Sequence, residues 1–406
     1  MENLFEQLTS VLQRVSGYIY PNEVELHWGI LVVLYPYLTG LVAGAFILAS
    51  LVKVFQVKSL LPTYRLAMLT ALAFLIVAPI PLLAHLGHPE RFYEILVTPH
   101  LQSAMAMFGF VYAWYLFLVL LLEIWFEFRS SLVERGQQSS GLKKLGFKLL
   151  TLWASDVSEK AIAFDQKAVR VITLIGIPSA FLLHGYVGFI FGSIKANPWW
   201  SSVLMPVVFL FSAIVSGISL VLLIYVMSTM IRWKEIDMRC MDSLASFMLY
   251  ALIVDFSLEF LDFIHRLYQS EESIEIVATM ISSRLFISLV VVQMLIGTII
   301  PMVSLIVLKI KQMPPEFRKM MYFLTAILIQ IGIFSTRWNV VIGGQLFSKS
   351  LRGLTIYKME LFGIEGLLMS LFLLVLPFLI LYVLIKILPP WYEEKYYKLQ
   401  VSEKQL

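Results

Sequence analysis

Runs of about 20 or more predominantly apolar residues recur along the whole chain, each long enough to cross the ~30 Å hydrocarbon core of a bilayer as a helix. Such a segment must satisfy its own backbone polar groups, so only helices or a closed barrel can span. Barrel strands alternate polar and apolar residues, and these runs do not. With 59% hydrophobic and 14% charged residues in 406, the chain lacks the polar surface a soluble fold of this size needs. The expected fold class is therefore an all-α integral membrane protein.

Nine spans are expected, near 27–52, 66–86, 103–125, 171–192, 201–231, 243–265, 285–308, 320–343 and 364–388. Prolines 36, 79, 81, 178, 206, 301 and 377 lie inside them, which bundled membrane helices tolerate because neighbouring groups recover the freed carbonyls. The alternate connections divide the basic residues unevenly: 22 Lys and Arg on one side against 8 on the other, with Arg337 left inside the eighth span. The positive-inside rule then puts the amino terminus outside and the carboxy terminus in the cytoplasm of a cell-membrane protein. No cleavable signal is evident. Leu4, Phe5, Leu8, Val11, Leu12 and Val15 share one face, which reads as an amphipathic helix on the outer membrane surface. The longest cytoplasmic connection, 126–170, contains Gly141–Trp153 (GLKKLGFKLLTLW), basic and amphipathic. It reads as a surface helix on anionic headgroups or as a partner's docking surface.

Leu38–Gly44 (LTGLVAG) in helix 1 and Phe211–Gly217 (FSAIVSG) in helix 5 lie 173 positions apart, and each sets small residues four apart, where a second helix can approach closely. Two four-helix bundles related by a parallel repeat, plus one extra helix, are expected. The divisions are 1–26 (extracytoplasmic amphipathic segment), 27–192 and 193–343 (the bundles), 344–388 (loop and ninth helix) and 389–406 (cytoplasmic tail).

The single cysteine, Cys240, excludes disulfide frameworks, iron–sulfur clusters and Cys-based zinc sites held by this chain alone. No metal site and no nucleic-acid partner is expected. Two groups of residues could carry chemistry. His27, Trp28 and Tyr35 in helix 1, His85 and Arg91 after helix 2, and His184 and Tyr186 in helix 4 would converge near the outer surface if helices 1–4 bundle. A quinone site needs that mixture: hydrogen-bond partners for two carbonyls, a proton acceptor such as His, and aromatic rings to pack on the head. The plainer reading makes His27, Trp28, Trp199 and Trp200 an interfacial aromatic belt, His184 and Tyr186 a helix–helix hydrogen bond, and His88 and His100 loop residues. Ligation of a haem by two histidines would need His85 and His184 to face each other.

The second group lies on helix 6, where Asp255, Glu259, Asp262 and Arg266 fall within about 60° of one face. Intramembrane acids normally face a bundle interior or water. Arg337 on helix 8 lies at a matching depth. A static ion-pair network and a proton path toward the outer face are the two readings.

Leu38–Gly44, Leu86–Phe92 (LGHPERF), Asn197–Trp200 (NPWW), Phe209–Gly217 and Arg337–Gln345 (RWNVVIGGQ), in this order, resemble the NrfD/PsrC family of respiratory membrane subunits. The larger DsrP/HybB-type members are most similar in length, and the former belong to a sulfite-reduction-linked complex. The resemblance implies no haem or iron–sulfur cluster in this chain and a menaquinone site in the first bundle near the outer face. It implies a ferredoxin-like iron–sulfur partner on the extracytoplasmic side, with cytochrome c and further membrane redox subunits as other candidates. It also implies that Tyr186 contacts the quinone. Where PsrC itself has a helix 1 His, this sequence has Tyr35, and where many members have Asp, it has His85. Proton acceptance would then fall to His27, His85 or His184. A proton-coupled transporter built on the helix 6 acids, or a passive anchor, are the alternatives.

Overall fold

The computed structural model describes residues 15–23, 26–98, 100, 102–269, 273–311 and 313–391. The amphipathic segment expected at the amino terminus and most of the expected cytoplasmic tail lie outside these residues. Among the described residues, nine helices are long and apolar enough to cross a membrane: α1 Ile30–Lys53, α2 Lys58–His85, α3 Ala106–Gln137, α4 Glu159–Gly192, α5 Met205–Ile231, α6 Met238–Tyr268, α7 Phe286–Ile310, α8 Pro315–Gln345 and α9 Leu367–Ile387. The chain is a multi-pass membrane protein. Several helices outrun the expected spans; α4 begins at Glu159 rather than near 171, and α3 continues to Gln137. Hydropathy registers only the turns that sit in hydrocarbon, whereas the backbone hydrogen-bond ladder continues into the polar zone.

Helices α1 to α4 touch in a closed cycle, α1 on α2, α2 on α3, α3 on α4 and α4 on α1, and α5 to α8 form a second cycle in the same order. The two cycles meet mainly through α1 and α5, while α9 lies against α2 and α1. The most apolar stretch of α1 is 94% buried in protein, whereas that of α9 is only 22% buried. Small residues explain the central position of α1 and α5. A Cβ on Gly44 would strike Ala213 O, and one on Gly217 would strike the Gly44 backbone. The two small-residue pairs of the sequence therefore pack against each other. Ser212, Ser216 and Ser219 on α5 return their hydroxyls to the carbonyls three residues back, so they enter this contact without an unmet donor. Gly297 and Gly332 make the same kind of backbone contact between α7 and α8.

The prolines act in different ways. Pro36, Pro178 and Pro377 lie within continuous helices. Pro79 and Pro81 interrupt α2, whose last segment restarts at Ile80. The amphipathic helix of the longest connection spans Gly141–Leu150 and is held against α3: Phe147 lies over Gly136, Arg135 over the Phe147 ring, and Trp125 donates to Leu150 O at 3.1 Å. A feature absent from the sequence pattern ties the ends together. Ser16–Tyr18 pairs antiparallel with Arg352–Leu354, and Ser348 Oγ donates to Glu23 at 2.5 Å.

Candidate functional site

Three of the elements in the first cycle have one end in common, the start of α1, the start of α3 and the end of α4. There Tyr35, Phe108 and Tyr186 meet. Tyr35 stands edge-on to the Phe108 ring (centroids 5.3 Å apart, 87°), and Phe108 stacks on Tyr186 (6.2 Å, 25°). Phe189 leans on Tyr186 from the next turn. Tyr35 is buried and its hydroxyl has no hydrogen-bond partner. Tyr186 is half-buried. An unmet hydroxyl beside stacked rings is suited to a flat ligand that carries an acceptor oxygen.

His184 does not join this cluster. It lies two positions before Tyr186, about 200° around the helix, so the side chains leave opposite faces of α4. His184 is fully buried and stacks on Phe209 (5.6 Å, 28°). Its Nε2 lies 3.2 Å from Arg337 Nη2 and its Nδ1 3.4 Å from Thr39 Oγ1. A guanidinium only donates, so Nε2 accepts and the proton of a neutral ring sits on Nδ1, facing Thr39. The sequence offered His184 as a proton acceptor; its lone pair is already committed. Gly40 makes the room, since a Cβ there would lie 3.1 Å from His184 Cε1.

Arg337 is fully buried and reaches from α8 to His184 on α4. Its Nη2 also donates to Ser212 Oγ (2.5 Å) and Phe209 O (3.4 Å), and its Cζ lies 4.2 Å from the Phe209 centroid. Nε and Nη1 have no partner. The sequence matched Arg337 in depth to Glu259; its hydrogen bonds run to α4 and α5, while its charge still faces Asp255 and Glu259.

The acids face inward as their spacing requires. Asp255 is buried and its Oδ1 unpartnered, and Glu259 Oε2 accepts from Gln293 Nε2 at 3.2 Å while Oε1 is unpartnered. Asp262 differs: it pairs with Arg266 at 2.6 Å, accepts the Ser202 hydroxyl, and Arg266 lies over Trp199. That pair ties α6 to the 197–202 loop, so ion pairing describes Asp262 and Arg266 but not Asp255 and Glu259. A cavity of about 150 Å³ is lined by Glu259, Asp262, Arg266, Gln293, Thr336 and Asn339 together with apolar groups.

At the C-terminal end of α2, His85 Nδ1 lies 2.5 Å from Glu365 Oε1, and Glu365 also borders Gly29, where Tyr357 takes the Ile30 N–H at 3.1 Å. Burial pushes the Tyr357 hydroxyl above its ordinary pKa. His27, His88 and His100 are exposed. Arg91 is exposed and bonded to Glu94 at 2.7 and 3.0 Å, which raises the guanidinium and lowers the carboxyl. Neither His27 nor Arg91 reaches the aromatic cluster.

The belt reading fails for Trp199 and Trp200, which are buried and donate to Asn339 O (2.8 Å) and Val340 O (2.6 Å). Trp28 stacks on Trp200 (5.4 Å, 25°), and Gln345 clamps the Trp28 backbone from both sides. These residues fasten α1 to the end of α8.

Sequence reasoning passed over Phe108, Glu365, Gln293 and Glu123. Glu123 lay inside an expected span, and an acid within an apolar run is itself a signal. Phe108 and Glu365 carried none: one is an ordinary aromatic in an apolar helix, the other an acid in a loop.

Residues 21–349 match the model of the family described as polysulphide reductase, NrfD. A selenate reductase subunit from Mesobacillus selenatarsenatis is 37% identical over 203 residues, 49% of this chain and 47% of that protein. A protein described as a membrane subunit of dimethyl sulfoxide reductase, from Halobacterium salinarum, is 29% identical over 208 residues, 50% of this chain and 43% of its own. Protein NrfD of Escherichia coli is 26% identical over 204 residues, 49% and 59% of the respective chains. The matched stretches thus span about half the length of these relatives.

Proposed function

The chain belongs to the polysulphide reductase NrfD family, and from that premise we propose that it is the quinone-reactive membrane subunit of a multi-subunit respiratory oxidoreductase of the cell membrane. It exchanges electrons between menaquinone or menaquinol and a ferredoxin-like iron–sulfur subunit on the extracytoplasmic side. Cytochrome c and further membrane redox subunits are candidate members of the same complex. The terminal acceptor is an oxidised sulfur or selenium compound; the names of the selenate and dimethyl sulfoxide reductase relatives support that class, and a sulfite-linked complex falls within it.

The observation that carries the reading is the buried, unpartnered Tyr35 hydroxyl beside the Phe108 and Tyr186 rings. These residues fit a quinone head: Tyr35 would donate a hydrogen bond to one oxygen, and Phe108 and Tyr186 would hold the ring plane. The bound quinol would supply two electrons and two protons. His85, with its Nδ1 held by Glu365, would take a proton on Nε2 at the outer end. Tyr35→Phe and Tyr186→Phe should each lower quinol oxidation by the assembled complex. Unchanged rates in both would overturn the site.

Asp255 and Glu259, each with an unpartnered buried oxygen, and the 150 Å³ cavity lined by Glu259 and Asp262 support a proton path through α5 to α8 that includes Arg337. Coupled proton release that persists unchanged in Asp255→Asn and Glu259→Gln, with normal assembly, would exclude it. Copurification separates the proposed role from that of a transporter: iron–sulfur subunits should come with the chain, whereas a transporter should work alone.

A further inference from the structure

The half of α1 to α4 opposite the aromatic cluster contains a polar group that the quinone reading does not use. It is assembled by a local feature of α3. Tyr115–Leu120 is wound as a π-helix, which sets the turns before it back by about one residue relative to those after it. Tyr115, Val119, Glu123 and Glu127 therefore all stay on the buried face. Without that stretch Tyr115 would rotate away from the acids.

Glu123 is fully buried. Its Oε1 accepts the Thr173 hydroxyl at 2.7 Å and the Tyr64 hydroxyl at 3.2 Å, but its Oε2 has no partner. The Tyr115 hydroxyl, two turns nearer the aromatic cluster and equally buried, is also unpartnered. One turn the other way, Glu127 binds Lys53 and Arg65, each at 2.8 Å, and Lys53 sits 4.6 Å over the Tyr64 ring. On α4 the nearest acid, Asp165, is already paired with Arg129 at 2.7 Å. Lys53 favours an ionised Glu123, whereas the dry surroundings and the neighbouring Glu127 carboxylate favour the acid. Lys53 is 14% exposed and lies at the open edge of the group.

We propose that Glu123 is a proton-loading site filled from the basic, Lys53 side of the membrane. Tyr64 and Thr173 fix Oε1, and Oε2 is the atom that takes and gives up the proton. Loading transfers a proton from hydronium to Oε2 and leaves water; unloading passes it toward Tyr115 and the Tyr35 end, and no electron moves. The site gives α1 to α4 a proton entrance on the face opposite the proposed quinone head.

Infrared difference spectroscopy on the full chain in lipid vesicles tests this without quinone or partner subunits, so a failed quinone reading leaves the outcome untouched. A protonated-carboxyl band that shifts in D2O and responds to pH should appear in the native protein. It should persist in Asp255→Asn and Glu259→Gln and vanish in Glu123→Gln. Where Glu123→Gln fails to assemble, Glu123→Asp should keep the band at a displaced frequency. In oriented vesicles the band should exchange fast only when D2O meets the Lys53 side. A band indifferent to both Glu123 substitutions, no band at any accessible pH, or fast exchange from the opposite side would each overturn the proposal.

Discussion

Arg337 Nη2 lies 3.2 Å from His184 Nε2, so a cation on α8 of one helix set is held by a neutral imidazole on α4 of the other. Arg337→Met removes the donor to His184 and Ser212 and leaves buried acceptors unmet. The expected loss is about 1–3 kcal/mol of stability, read as a lower unfolding midpoint in detergent. Nitrogen-15 spectra of the native protein should show His184 as the Nδ1–H tautomer, and the variant should lose that preference.

Phe108 touches both tyrosines of the aromatic cluster. Each aromatic pair contributes about 0.5–1.5 kcal/mol beyond area. Phe108→Leu should therefore raise the KM for quinol roughly ten-fold in the assembled complex while its subunits still copurify.

Gly44 and Gly217 let α1 and α5 touch backbone to backbone, and a Cβ at Gly44 meets the Ala213 carbonyl. Gly44→Ala should cost about 1–3 kcal/mol and reduce the yield of folded protein. Gly87→Ala is the matched control: no heavy atom lies within 4 Å of its Cβ position, and its midpoint should not move.

Trp200 donates to Val340 O from a buried position. Trp200→Phe keeps the stacking on Trp28 but orphans that carbonyl, so a loss of about 1–3 kcal/mol is expected. A residue of an exposed belt would show almost none. Thermal unfolding of the two proteins side by side separates these outcomes.

The helices were legible because their signal is local. Long apolar runs, the small residues at 40, 44, 213 and 217, and the inward acids at 255, 259 and 262 each follow from spacing along one segment. The partners of those residues were not. Asp262 and Arg266 share a face with Asp255 and Glu259, yet only the 262/266 pair meets the loop from Asn197. Arg337 matched the depth of Glu259, but depth does not specify rotation about α8, and rotation sends its Nη2 to Ser212 and His184.

The sequence alone determined that this chain crosses a membrane as helices, because no other backbone arrangement satisfies its hydrogen bonds in hydrocarbon. It also marked the intramembrane charges, which are too costly there to go unnoticed. Tertiary structure decided which residues form a site. His184 and Tyr186, two positions apart, were divided between opposite faces of one helix, while Tyr35, Phe108 and Tyr186 from three helices were brought together. Helices with apolar residues all round can rotate in lipid at little cost in hydrophobic burial, so close packing at glycines and buried hydrogen bonds fix the rotation. Those contacts join residues distant in the chain, and no local pattern carries them.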